Sequence, residues 1–253
     1  MRSAVFVSVR DKATRLPGKI YLDLGGQPAI ERLIERVTEA REVDLVVLTT
    51  STHPDDRKLL ATAARCGIES FAGSETDKLD RYLRAAERFG VDFAAVVDGD
   101  DLFCEPTYID RIVRERRDSG GDYIVVDGLP LGATAFGIAI DALRRVCELK
   151  QESDTEVWGA YFTRPGLFDV RLLAPEPEDR RPDLRMTLDY PEDYEFFRTV
   201  YEALLPERPT PSLRAIIQFC DAHPDVAALN RGVQERYEMN LKRAAPARLR
   251  GDR

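Results

Sequence analysis

"AVFVSVRDKATRLPGK", residues 4–19, passes from an apolar stretch into a cluster of cations. Val5, Phe6, Val7 and Val9 read as a strand, and a strand this uniformly apolar belongs to a sheet covered on both faces. Arg10, Lys12, Arg15 and Lys19 follow, with Pro17-Gly18 marking a turn just before the last lysine. The chain carries a net charge of −8, so this positive cluster is a local feature. In an open α/β sheet, ligands sit beyond the carboxyl ends of the strands. Guanidinium forks match phosphate oxygens in pairs. The stretch therefore points to a phosphate site at the mouth of the first strand; the bland alternative is a solvated charged turn. Neither G-x-x-x-x-G-K nor G-x-G-x-x-G is present, so side-chain cations must do what backbone amides do in those loops.

Outward from this strand, apolar runs alternate with helical patterns. "PAIERLIERVTEA" (28–40) spaces Ile30, Leu33, Ile34 and Val37 as one helix face. Strand-like runs recur at "VDLVVLTT" (43–50), "IESFAG" (68–73), "VDFAAVVDGDD" (91–101) and "DYIVV" (122–126). Helical patterns separate them at 54–67, 77–90 and 106–121. Such βα repetition predicts an α/β fold with a doubly wound, mostly parallel sheet of Rossmann-like topology. After about residue 128 the pattern loosens into a smaller insert, about 128–183, read as a substrate lid or dimer surface. Within it, "DALRRVCELK" (141–150) and "DTEVWGAYF" (154–162) read as helices, and "GLFDVRLLA" (166–174) as a strand. "LRMTLDY" (184–190) then reads as a strand feeding the helix "PEDYEFFRTVYEALL" (191–205). The expected organisation is one domain over 1–225 and a helical, basic C-terminal tail over 226–253.

Composition narrows the function. With 43% hydrophobic and 32% charged residues the 253-residue chain suits a globular protein with a sizeable core. No run of about 18 apolar residues exists, so no membrane span is expected, and the N-terminus lacks a signal-peptide layout. Cys66, Cys104, Cys147 and Cys220 are widely spaced, without C-x-x-C or a Cys/His cluster, which argues against zinc and a disulfide framework. A reducing, cytoplasmic setting is the expectation. His53 and His223 are the only histidines, which leaves imidazole catalysis little to draw on. The acidic balance argues against nucleic acid as a partner.

Three further clusters carry chemistry. "VVDGDD" (96–101) delivers Asp98 and Asp100 to the end of a buried strand, where residues two apart face the same way and could approach one cation. Asp101 would then project to the other side. Magnesium takes one or two carboxylates together with phosphate oxygens and water; a simple Asp-Gly turn is the alternative. In "TLDYPEDYEF" (187–196), Asp189 followed by Glu192 and Pro191 has the spacing of a helix N-cap, which spacing alone favours over metal binding. In "SDTEVW" (153–158), Ser153 and Glu156 have capping-box spacing, and Trp158 reads as core.

Taken in order, R-x-x-x-T-R-L-P-G-K from Arg10 to Lys19, G-S-x-x-D-x-L-x-R-Y from Gly73 to Tyr82, Gly99-Asp100, and T-L-D-x-P-E-D from Thr187 to Asp193 resemble the cytidylyltransferases. The similarity is to the spore-coat polysaccharide branch, related to the enzymes that make CMP-sialic acid and CMP-3-deoxy-manno-octulosonate, over roughly residues 3–204. It implies a nucleotidyltransferase fold that binds CTP and Mg2+, with an acceptor oxygen attacking the α-phosphate and pyrophosphate leaving. By motif, Arg10, Arg15 and Lys19 would hold the triphosphate, and Asp100 and Asp189 the magnesium. Thr50, Ser51, Arg81 and Asp98 would lie by the nucleotide. Arg10, Lys19 and Asp100 carry the catalytic expectation. The acceptor would be a small anionic molecule (sugar acid, phosphosugar or phosphonate), and the enzyme a homodimer. The chain departs from the pattern at Val96-Val97, where an arginine is usual, at Asp101, and in "SDTEVWGAYF", which replaces the sugar-contacting segment. A metal-dependent nucleotide-sugar glycosyltransferase would also use a D-x-D motif, but R-L-P-G-K after the first strand argues against it. A non-catalytic relative that kept the fold would not be expected to keep both acids.

Overall fold

A computed structural model describes residues 1–12, 14–234, 236, 239 and 247–250 of the chain. Its centre is a seven-stranded sheet ordered β3-β2-β1-β4-β6-β5-β7. The strands are β1 (Ser3–Ser8), β2 (Leu45–Ser51), β3 (Glu69–Gly73), β4 (Phe93–Asp98), β5 (Tyr123–Val126), β6 (Phe136–Ala139) and β7 (Val170–Leu173). β6 is antiparallel to both β4 and β5, and every other pairing is parallel. The doubly wound expectation is met: α1 (Ala29–Val37), α2 (Arg57–Arg65), α3 (Lys78–Phe89) and α4 (Pro106–Ser119) connect the first five strands in turn.

Local sequence explains these elements. Every residue of β1 is buried, as an inner strand with both faces covered requires. Ile30, Leu33, Ile34 and Val37 are all buried on α1, the face their spacing implied. Each such side chain contributes about 1.5–3 kcal/mol by leaving water. α3 starts at Asp77, whose carboxylate accepts from the Asp80 amide at 3.0 Å, and ends at Gly90 in the left-handed region.

Residues 128–183, expected as an insert, supply β6, α5 (Ile140–Leu149), α6 (Gly159–Phe162) and β7 to this same sheet. The helix expected over 154–162 is shorter than its pattern: only Gly159–Phe162 is helical. Residues 154–158 form a loop instead, with Thr155 and Trp158 buried and Glu156 and Val157 exposed. The strand expected in "LRMTLDY" is reduced to one parallel bridge, Leu131 to Arg185. That segment is wedged between two loops: Met186 donates to the Leu131 carbonyl at 2.7 Å, and Leu188 to the Asp100 carbonyl at 2.9 Å. Its backbone is satisfied by loops on either side, so no ladder extends. The wedge sets Asp189 beside Asp100 and leads into α7 (Pro191–Leu204).

α8 (Leu213–Ala222) and α9 (Pro224–Ala227) follow. Much of the expected tail lies outside the described residues. Of it, Leu249 bridges Lys150, and Arg248 Nε lies 3.0 Å from Glu152 Oε1. Among the described residues no helix is long and apolar enough to cross a membrane.

Candidate active site

The carboxyl ends of β1 and β4 open into a cleft of about 830 Å³. Strand ends can converge there because Gly99 lacks a side chain: a Cβ would fall 2.6 Å from Val9 Cβ and 3.2 Å from the Ser8 carbonyl. Arg10, Arg15, Lys19, Asp98, Asp100 and Asp189 all line this cleft, drawn from stretches far apart in the chain.

At its floor is a node of acids around one lysine. Lys19 Nζ lies 2.6 Å from Asp100 Oδ2 and 3.0 Å from Asp189 Oδ1. Arg15 Nη2 approaches the same Asp189 oxygen at 2.7 Å. Asp189 Oδ2 accepts from Arg185 Nη2 at 3.1 Å, and Arg185 Nε reaches Asp193 Oδ1 at 2.9 Å. Burial alone would push the Asp189 carboxyl up, but Lys19 and Arg15 outweigh it and hold the group below the usual aspartate range. Burial would likewise lower the Lys19 ammonium, yet Asp100 and Asp189 together raise it. Both groups are therefore charged across the neutral range.

The expected N-cap role of Asp189 is not what the helix uses. The N-cap of α7 is Tyr190, and its amide donates to Asp193 Oδ2 at 3.0 Å, as does the Asp189 amide. Asp193 does the capping, which frees the Asp189 carboxylate to face the cleft. The parity argument for "VVDGDD" also stops early, because β4 ends at Asp98 and a turn follows. Asp98 and Asp100 consequently meet different cations. Asp101 does not turn to the other side as expected: it lines the same cleft, is 8% exposed and is hydrogen-bonded to Thr187. Burial, then Asp100 and Asp98, push its carboxyl well above the usual range.

A second node lies along the wall. Lys78 Nζ is 3.1 Å from Asp98 Oδ1 and 3.2 Å from Glu156 Oε1. Glu156 Oε2 is 2.6 Å from Arg10 Nη2, and Arg10 also donates to the Glu75 carbonyl. Glu156 thus takes no capping role, and its own amide donates to Asp154 at 3.2 Å. Trp158 is core, packed edge-on against Tyr82, Tyr123, Phe136 and Phe162.

Thr50, Ser51 and Arg81 do not line the cleft. All three are buried, and the Ser51 hydroxyl bonds Asp56. Sequence reasoning passed over Lys78 and Arg185. Lys78 did carry a signal: it is a cation on the first turn of a helix, where the dipole disfavours positive charge unless acids face it. Arg185 sits inside the apolar run "LRMTL", where only buried partners make an arginine tolerable.

The donor set fits a divalent cation. Two carboxylate oxygens already converge on one positive nitrogen, the arrangement magnesium accepts when phosphate and water complete its shell. Among the described residues no three acid, histidine or cysteine groups form a metal cage.

Comparison with known proteins gives the family and the fold. The sequence profile of the family described as "Cytidylyltransferase" matches residues 4–211. The spore coat polysaccharide biosynthesis protein SpsF of Bacillus subtilis (strain 168) is 29% identical over 228 residues, 87% of this chain and 95% of that protein. A 3-deoxy-manno-octulosonate cytidylyltransferase of Anaeromyxobacter sp. (strain Fw109-5) is 30% identical over 166 residues, 64% of this chain and 63% of its own length. Among solved structures, a cytidylyltransferase from Leptospira borgpetersenii superposes with a TM-score of 0.82 at 22% identity, covering 90% of this chain and 97% of that one.

Proposed function

Because the chain belongs to the cytidylyltransferase family, we propose that it transfers CMP from CTP to an oxygen of a small anionic acceptor, releasing pyrophosphate, as a step in building a surface polysaccharide. The observation that carries this reading is the convergence of Asp100 and Asp189 on Lys19 at the end of β4. Acids and a lysine so placed can hold both halves of a metal–triphosphate complex.

The reaction forms one bond and breaks one. The acceptor oxygen bonds to the α-phosphorus, the bridging oxygen between the α- and β-phosphates leaves with its electron pair, and any acceptor proton passes to solvent. Charge grows on the departing pyrophosphate, and Arg10, Arg15 and Lys19, which line the cleft, would offset it. Asp100 and Asp189 would hold the cation, and magnesium suits their number. A cation there supplies charge neutralisation along the phosphates and alignment of the α-phosphate. Arg185 keeps Asp189 oriented, as groups behind a metal ligand commonly do.

The glycosyltransferase alternative is not favoured by the family match. A screen of pyrophosphate release tests the proposal: CTP, ATP, GTP and UTP, each with magnesium, against sugar acids, phosphosugars and small phosphonates. Release with CTP and one acceptor class is expected. Release with a different nucleotide and none with CTP would overturn the assignment.

A further inference from the structure

We propose that Arg10 and Lys78, backed by the buried Arg81, form an anion seat that the Glu156 carboxylate fills until a phosphate or carboxylate of a substrate replaces it. The inference rests on the reading of this cleft as a phosphate-transfer site. It assigns that site a gate.

The geometry is that of a bound anion. One Glu156 oxygen lies 2.6 Å from Arg10 and the other 3.2 Å from Lys78. The Glu156 side chain is 52% exposed, whereas those of Lys78 and Arg10 are only 10% and 20% exposed. An acid that water could solvate freely instead reaches in to cover two cations of the cleft wall. Burial pushes the Glu156 carboxyl up, but Lys78 and Arg10 overcome this and hold it below the usual glutamate range.

Arg81 supplies a second, independent observation. It is fully buried, and its Nε donates to the Ser74 carbonyl at 3.1 Å. Among the described residues neither of its Nη atoms has a hydrogen-bond partner. A buried guanidinium with idle donors is costly unless a ligand oxygen meets them. Arg10 donates to the next carbonyl along, that of Glu75, so the two guanidinium groups hold one stretch of backbone beside the seat.

The segment that carries Glu156 is held at two points. The Thr155 hydroxyl donates to Asp77 Oδ1 at 3.0 Å, and Trp158 is locked in its aromatic cluster. Only Glu156 and Val157 lie exposed between these anchors. Release would then involve these two residues. The anion has two possible sources with the same chemistry: the nucleotide's phosphates or the acidic group of the acceptor.

Trp158 is the sole tryptophan, two residues from the gate, and its emission is the readout of the titration. The test titrates inorganic pyrophosphate into the full chain and into Glu156→Gln, Lys78→Met and the double variant, each first shown by melting to be folded. If Glu156 leaves the seat open in about one molecule in ten, Glu156→Gln should bind pyrophosphate about tenfold tighter. Lys78→Met should remove that gain in the double variant. Inorganic phosphate added at saturating CTP separates the sources: competition with CTP assigns the seat to the nucleotide, and binding beside CTP assigns it to the acceptor. Unchanged or weaker pyrophosphate binding by Glu156→Gln overturns the seat. That failure differs from failure of the cytidylyl reading, which would appear as no preference for CTP while the Glu156→Gln gain persisted.

Discussion

Asp101 is 8% exposed, and burial together with Asp100 and Asp98 pushes its carboxyl well up. Between the unfolded value, near pH 3.9, and that raised value the folded state keeps a proton that the unfolded chain has released. Stability contributed by that proton is fully present below the unfolded value and is lost as pH rises through the folded one. Asp101→Asn keeps the shape without the ionisation. Urea unfolding at several pH values should show the variant losing less stability than the parent on the alkaline side, with pyrophosphate release largely retained. A dead Asp101→Asn would move the metal position by one residue. Asp100 and Asp189 should behave in the opposite way. Asp100→Asn and Asp189→Asn should each nearly abolish pyrophosphate release while leaving a folded protein. Because both act through one cation, the double variant should fall well short of the product of the single losses. Independent, multiplying effects would separate the two acids.

The element that makes this site is the wedge at 184–188, which ties loop 129–133 to the turn after β4. Gly132 is where the wedge presses hardest. Its φ is +89°, and a Cβ would fall 2.3 Å from the Met186 carbonyl oxygen. Gly132→Ala should cost on the order of 1–3 kcal/mol in urea unfolding and lower activity, because Asp189 shifts with Met186. Gly26 has a φ of +87° but open space around it, so Gly26→Ala should cost only its backbone strain and spare activity. Equal activity losses would mean that the wedge does not set the site. Elements also mark what could be read beforehand. β1 to β4 and their helices were legible because each apolar run is long enough to declare its period. The wedge was not, since "LRMTL" has a strand pattern but its partners are loops. The 154–158 loop was misread as helix because helical spacing says nothing of Glu156 being drawn to Arg10 and Lys78. Spacing alone favoured a cap for Asp189, whereas Asp193 closes the cap; the metal role came from the motif.

At the scale of the molecule, a chain of net charge −8 gathers Arg10, Lys12, Arg15, Lys19 and Lys78 around one cleft. Asp98, Asp100, Asp101, Asp127, Asp154, Glu156 and Asp189 line the same cleft, so its charge is mixed and suits a triphosphate that arrives with a cation. The sheet order explains how these groups meet: β1 and β4 are neighbours, so the loop after β1 and the turn after β4 face each other across one strand spacing. The most direct test of the account is thermal unfolding with each of the four nucleoside triphosphates, with magnesium and with chelator. At about 100 times its dissociation constant a ligand adds roughly 2.7 kcal/mol of stability. CTP with magnesium should raise the melting temperature more than ATP, GTP or UTP, and the rise should shrink with chelator and in Asp100→Asn. Equal rises with all four nucleotides, or a full CTP effect in Asp100→Asn, would contradict it.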